Sequence, residues 1–502
     1  MIFAGHQISI LSGPTGCGKS TQVPQYILDQ HAREKKMVNI IVTQPRKIAA
    51  SSLAKRVCQE RDWRLGGLVG YQVGLDKENK SQDTRLLYVT TGVLKKQIIE
   101  RKHLNNWSHI ILDEVHEREE DMDLVMLLVK KLLATSCGTK LVLMSATLNE
   151  EKLKKYFSLP AEGSSSTSRL MEAPSLQISA GQGRGQSNVV STAYFDQLLG
   201  QFGRRDKTNF LVSKPTFHQD CVELTKEVIE HLDNVEDKEG KGRGGVLVFL
   251  PGIHEMKALR NHLMAGRDEE AEEADDEKRT KWKCLPLHSR IPWEEQKTVF
   301  APVPANTRKI ILSTNIAESS ITVPDIKYVI DFGLTKNVEV DKETNYPMLV
   351  LDWASRTQLV QRSGRAGRVG GGGRVFVLLP EALVRRLPRD HVPEIQRIPL
   401  TKLVLDVKLL DMGSPQQLLS LAMDPPKSEN LLKTILSLKE LRALHNTTRG
   451  ERTREDGDLT VIGEVLARLP VDVKLGKLIV LGHIFGVLEE AVVIAAGLNG
   501  KR

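Results

Sequence analysis

The sequence predicts an α/β protein with two tandem units, each on a mostly parallel sheet, followed by a largely helical region. Three observations predict it. Compact β-branched runs alternate with helical stretches, the pattern of a parallel sheet covered on both faces. A short strand at 7–11 leads straight into a glycine-rich loop, which opens a helix. Beyond residue 380 the glycines thin out and helical periods take over.

In the first unit, residues 7–11, 38–43, 86–90, 109–112 and 140–144 read as strands, and 21–34, 48–60 and 123–133 as helices. From 161 to 209 Ser, Gly, Gln and Arg dominate, which reads as the end of that unit and a connection. The second unit then shows a helix at 223–231 and strands at 245–250, 309–313 and 328–331. Two charged runs interrupt it, 233–243 and 268–277, and both read as solvated loops. A regulatory or partner-binding role is the alternative. Helices follow at 400–410 and 430–444, then a polar break at 449–458, then 473–498 as the start of a further helical domain. The boundaries drawn are 1–163, 164–208 (connection), 209–380, 381–450 and 451–502.

The 502 residues exceed what one hydrophobic core organises. No run of 18 apolar residues suggests a membrane span, and no basic-then-apolar leader suggests secretion. Cys17, Cys58, Cys137, Cys221 and Cys284 form no CxxC pair, so neither a disulfide framework nor a zinc site is expected. The net charge of +8 suits a polyanionic partner without proving one.

The glycine-rich loop is Gly13, Pro14, Thr15, Gly16, Cys17, Gly18, Lys19 and Ser20, which is G-x-x-x-x-G-K-S. Its glycines let backbone N–H groups wrap phosphates, and the helix N-terminus adds its positive end. Lys19 supplies charge against the β- and γ-phosphates, and Ser20 offers a hydroxyl to magnesium. The loop alone does not separate a helicase from a kinase or a GTPase. Asp113 and Glu114 directly follow the apolar strand at 109–112. Asp113 is expected to reach the metal, largely through water. Glu114 is expected beside the γ-phosphate, where it orients and deprotonates the attacking water and shares the metal site. His116 has two readings, a link from the phosphate site to the domain interface or a plain buried histidine. The hydroxyls of Ser145 and Thr147 would hydrogen-bond it or the acidic loop.

Far along the chain, Gln361, Arg362, Ser363, Gly364, Arg365, Ala366, Gly367 and Arg368 place three arginines in one glycine-broken run. One helical turn points Arg365 and Arg368 at one polyanion. If the second unit faces the first, they act as arginine fingers, and Gln361 holds the water opposite Glu114. Residues 313–320 offer hydroxyls and an amide suited to phosphate or ribose.

These residues sit in motifs that together resemble the DEAH/RHA group of RNA helicases: GPTGCGKST (13–21), TQPRKIAA (43–50), TTGVL (90–94), DEVH (113–116), SAT (145–147), LVFLPG (247–252), LHSR (287–290), STNIAESSITVPD (313–325) and QRSGRAGR (361–368). The resemblance implies two RecA-like domains of the superfamily 2 helicase core, then a winged-helix domain and the start of a helical bundle. It implies ATP and Mg2+ as ligands, with Thr21 joining the phosphate loop. It places Arg46, Thr91, Thr314 and Asn315 on an RNA backbone, contacts that carry no sequence information. Arg56 would stack on the base. Leu334 stands where the family has an aromatic, which implies weak base discrimination. Residues 336–353 would be a strand-separating β-hairpin with a tight polar turn at 341–345.

Within the group the likeness is nearest to the spindle-E branch of Tudor-domain helicases, through GYQVGL (70–75), TTGVLKK (90–96), DEVHERE (113–119) and DFGLTK (331–336). Gln72, Val73, Gly74 and Thr91 depart from the wording usual in the wider family. The branch implies a role in piRNA-mediated transposon silencing, a cytoplasmic perinuclear germ granule (nuage), and Piwi-type and other germ-granule proteins as partners. Those partners would bind mainly through a Tudor domain beyond Arg502. The expected substrate is single-stranded RNA, or duplex with a single-stranded tail, acted on by a monomeric motor outside any membrane. An RNA-dependent ATPase that remodels ribonucleoprotein without unwinding has the same motifs. A DNA helicase and a non-enzymatic scaffold remain open as well.

Overall fold

The computed structural model describes residues 6–14, 16–74, 79–135, 138–146, 150–160, 170–178, 190–204, 214–239, 243–265, 281–304, 306–318, 323, 325–341, 347–367, 372–446 and 456–499. The first sheet takes its strands from β1 (Ile8–Ser12), β2 (Ile40–Gln44), β3 (Val69–Gln72), β4 (Leu86–Thr90), β5 (His109–Leu112) and β6 (Lys140–Ser145). A two-residue antiparallel pair, β7 (Leu159–Pro160) and β8 (Leu170–Met171), precedes its last strand, β9 (Ser175–Gln177). The order is β3-β4-β2-β5-β6-β1-β9, and every pairing is parallel. All the strand ends therefore meet at one edge, where open parallel sheets bind ligands.

The second sheet has β10 (Ser191–Tyr194), β11 (Gly245–Phe249), β12 (Lys281–Leu287), β13 (Thr307–Ser313), β14 (Ile326–Asp331) and β17 (Arg374–Val377), in the order β10-β17-β14-β11-β13-β12, again all parallel. Between β14 and β17 the chain makes an antiparallel hairpin of β15 (Leu334–Val340) and β16 (Pro347–Trp353). The centre of its expected polar turn lies outside the described residues.

Each sheet carries buried apolar residues on both faces. Leu11, Ile40, Val42 and Tyr88 face one side of the first sheet, and Ile10, Ile41, Val89 and Leu112 face the other. The helix Glu120–Leu133 lies on that second side, with acids in its first turn and Lys130 and Lys131 in its last, the arrangement its dipole favours. It is apolar nearly all round because the C-terminal helix Thr401–Leu410 belongs to the same core. Lys95 joins the layers through Asp121 and Asp406, each at 2.6 Å.

Two readings change. The stretch 164–208 is more than a connection, since β9 joins the first sheet and β10 the second. The run 233–243 is not wholly a solvated loop: the helix Gln219–Glu239 continues through it. Asp233 and Glu236 are buried there against the fully buried Arg308, at 2.6 and 2.8 Å. Two acids three apart on a helix can face one buried arginine, which charge counting alone does not reveal. Residues 473–498 form two helices, Val473–Ile484 and Leu488–Asn499, separated at Gly486, whose φ is +75°. The run 268–277 lies outside the described residues.

Candidate active site

The phosphate loop leaves the end of β1 between β6 and β9, and the amide of Gly13 donates to the carbonyl of Ser145 at 3.1 Å. A Cβ on Gly13 would come within 2.9 Å of Ile178 Cβ, so only glycine fits under that neighbour. Gly16 and Gly18 take φ of +84° and +87°. Gly18 turns the chain into the helix Lys19–Arg33. Pro24 sits inside this helix and cannot donate to the carbonyl of Ser20. The buried Tyr88 hydroxyl donates to that carbonyl instead, at 2.8 Å, and anchors the first turn to β4.

The ammonium of Lys19 is nearly buried and donates to the carbonyls of Gly13 and Pro14 at 2.5 and 3.0 Å. Asp113 directly follows β5 with no exposure at all, held by Gln44 Nε2 at 2.6 Å and hydrogen-bonded to Ser20. Burial, and then the charge of Glu114, push its carboxyl up to about 7. Gln44 comes from β2, the strand beside β5; its role was not read from the sequence, although its place at the end of a neighbouring strand was the available signal.

Glu114 has a left-handed backbone, φ +56°, uncommon outside glycine and worth about 1–2 kcal/mol of local strain. Its Oε2 is buried without a hydrogen-bond partner. Burial raises its carboxyl to about 7, Glu117 adds to the rise, and Lys19, Arg365 and Arg46 oppose it. Groups from both sheets thus act on one carboxylate. His116 Nδ1 lies 3.4 Å from Glu114 Oε2 and accepts from the Ala146 amide at 3.4 Å. Burial lowers its pKa, so the ring is neutral and its approach to Glu114 is no ion pair. The contact seen on His116 from the 145–147 stretch is the backbone amide of Ala146. Thr15, Thr147 and Arg368 lie outside the described residues.

Arg362 is buried on Glu318 (2.9 Å) and Asp331 (3.0 Å) and acts as a structural anchor. Arg365, also buried, donates to the carbonyl of Glu318 through Nε at 3.0 Å and through Nη2. Gln361 is buried one turn earlier on the helix Arg356–Ser363.

The DEAD/DEAH box helicase model matches residues 2–156, and the helicase conserved C-terminal domain model matches 225–370. This chain belongs to the DEAD/DEAH box helicases. It is 44% identical over 506 residues to the "Probable ATP-dependent RNA helicase spindle-E" of Anopheles gambiae, covering 98% of this chain and 33% of that one. It is 43% identical over 516 residues to "ATP-dependent RNA helicase TDRD9" of Rattus norvegicus and of Homo sapiens, covering 100% of this chain and 35% and 36% of those. The chain spans about a third of the length of these relatives.

The helicase core also brings together most residues expected on RNA. Arg46 crosses from the first unit to the carbonyl of Ile316 in the second at 3.3 Å and approaches Glu117 at 3.6 Å. Asn315 is exposed beside it. Thr91 and Thr314 are nearly buried, and Thr91 donates to the Gln44 carbonyl at 3.4 Å, which leaves its hydroxyl little surface for RNA. Thr21 bonds the Gly18 carbonyl at 3.2 Å. Arg56 is exposed and pairs with Glu60 at 2.8 Å. Leu334, at 2% exposure, is packed in the core of the second unit. Among the described residues no helix is long and apolar enough to cross a membrane, and no His/Cys/Asp/Glu group forms a ready-made metal cage.

Proposed function

We propose that this chain is the motor of an ATP-dependent RNA helicase, hydrolysing ATP between its two sheets to move along or remodel RNA. The observation that carries the reading is Glu114, a buried carboxylate with a free oxygen, under the joint influence of two cations, Lys19 from the first unit and Arg365 from the second, both of which lower its pKa. The residues fit a magnesium triphosphate. Loop amides and Lys19 would hold the phosphates, and Ser20 with Asp113 would hold the metal; the bound metal neutralises charge on the phosphates. Lys19, now on two carbonyls, has donors that a phosphate would compete for. Glu114 Oε2 orients the attacking water and takes its proton. Arg365 stabilises charge that develops on the transferred group, and Gln361 assists from the helix that precedes it.

Arg46 and Asn315 flank the junction of the two units, which supports a strand running across both and gripped by its phosphates. RNA as the polymer is supported by the printed names of the relatives. Likeness to the spindle-E branch supports a place in piRNA-mediated silencing at a perinuclear granule. Remodelling without unwinding draws on the same geometry. The test is ATP turnover by the purified protein with and without single-stranded RNA, beside Glu114→Gln. RNA-stimulated turnover, lost by about a hundredfold or more in E114Q, is expected; equal turnover in both would overturn the assignment of Glu114.

A further inference from the structure

Residues 388–397 do not belong to either sheet, yet they hydrogen-bond both halves of the site. We propose that this strap positions the catalytic loop, with His391 and Glu394 as its positioning residues; the inference rests on the hydrolytic reading above. On one side the strap holds the helix that leads to Arg365. The amides of Arg356 and Thr357 donate to the carbonyls of Pro388 and Arg389, both at 3.0 Å, and the Thr357 hydroxyl donates to Asp390 at 2.7 Å. On the other side it holds the exit of the Glu114 loop. His391 Nε2 lies 3.1 Å from the carbonyl of Glu117, and since a carbonyl only accepts, the ring must donate from Nε2. Burial keeps that ring neutral, with a proton left for the bond. The amide of Glu394 donates to the carbonyl of Arg118 at 3.1 Å, and Glu394 Oε2 accepts from the amide of Glu120 at 3.1 Å. Arg397 extends the strap to the hairpin, donating to Val338 at 2.8 Å.

The loop needs such restraint. The single turn Val115–Glu117 is flanked by two left-handed residues, Glu114 (φ +56°) and Arg118 (φ +51°). Backbone strain of this kind persists only where the surroundings over-determine it. Within the loop itself the Glu117 amide bonds back to the Glu114 carbonyl at 3.0 Å. The strap supplies the bonds just beyond. Beside it lies a cavity of about 230 Å³, lined among others by Asn315, Gln361, His391 and Glu394, so the loop has room to relax if those bonds go. A small displacement of a general base costs much of its effect.

The test compares the intact protein with H391F, H391Q, E394A and E394Q, measuring kcat and KM for ATP with saturating RNA, and the melting temperature. H391F and E394A are expected to lower kcat about tenfold with KM little changed, the loss of one hydrogen bond expressed in the hydrolytic step. E394Q, which keeps an acceptor oxygen, and H391Q, which keeps a donor, are expected to recover much of it. Unchanged kcat in H391F and E394A would overturn the inference and leave the proposed function standing. So would losses that follow the melting temperature and are shared by the conservative variants. No turnover in the unaltered protein with RNA would overturn both.

Discussion

Arg362 sits in QRSGRAGR beside two arginines read as catalytic, yet its guanidinium is enclosed by Glu318, Asp331 and the carbonyl of Leu334. Removing it strands two buried carboxylates. Arg362→Ala is expected to cost about 3–5 kcal/mol of stability, measured as a shift in denaturant midpoint. Glu120 makes a different prediction. Its Oε1 is buried without a partner, and burial raises its carboxyl to about 8, with Lys95 opposing. The folded chain therefore keeps a proton that the unfolded chain loses near 4.5. Stability falls as pH rises between those values and levels off above the folded pKa. The melting-temperature advantage of Glu120→Gln over the unaltered protein should accordingly be larger at pH 8.5 than at pH 5.5; a constant difference would contradict the burial argument. At this scale the sequence made Lys19, Asp113 and Glu114 legible, because their chemistry is bound to local spacing. It hid Gln44, Glu318 and His391, whose partners lie on other strands or far along the chain.

At the scale of elements, the central strands other than β17 were legible because both faces are buried and the residues are β-branched. Edge strands were not. β12 alternates exposed lysines with buried Trp282 and Leu285 and contains Pro286, tolerated where the strand borders only one neighbour. The helix Gln219–Glu239 was cut short in the reading because its acidic end resembles a solvated run. That end is tied down instead: Asp233 accepts from Trp282 Nε1 at 2.7 Å, and Glu236 accepts from Tyr328 at 2.7 Å and pairs with Arg308. Arg308→Ala should unpin the last turns of this helix from β13 and β14 and lower stability by about 3–5 kcal/mol. Hydrogen exchange would show the loss at 233–239, and protection equal to that of the unaltered protein would argue that the helix holds without the arginine.

Over the whole molecule, Glu114 lies under the influence of groups from both units, Lys19 from the first and Arg365 from the second. Motif order made this division legible, whereas the contacts of the C-terminal region with both units depend on the folded chain. The helix Thr401–Leu410 shares a core with the first unit, and the strap before it reaches the second. The central claim is that Arg365 acts in trans on chemistry seated in the first unit. The most direct measurement is RNA-stimulated ATP turnover by Arg365→Ala, taken beside its affinity for ATP and its melting temperature. A fall in kcat of about a thousandfold is expected, with the fold intact and ATP still bound. Turnover within a few-fold of the unaltered protein would contradict it.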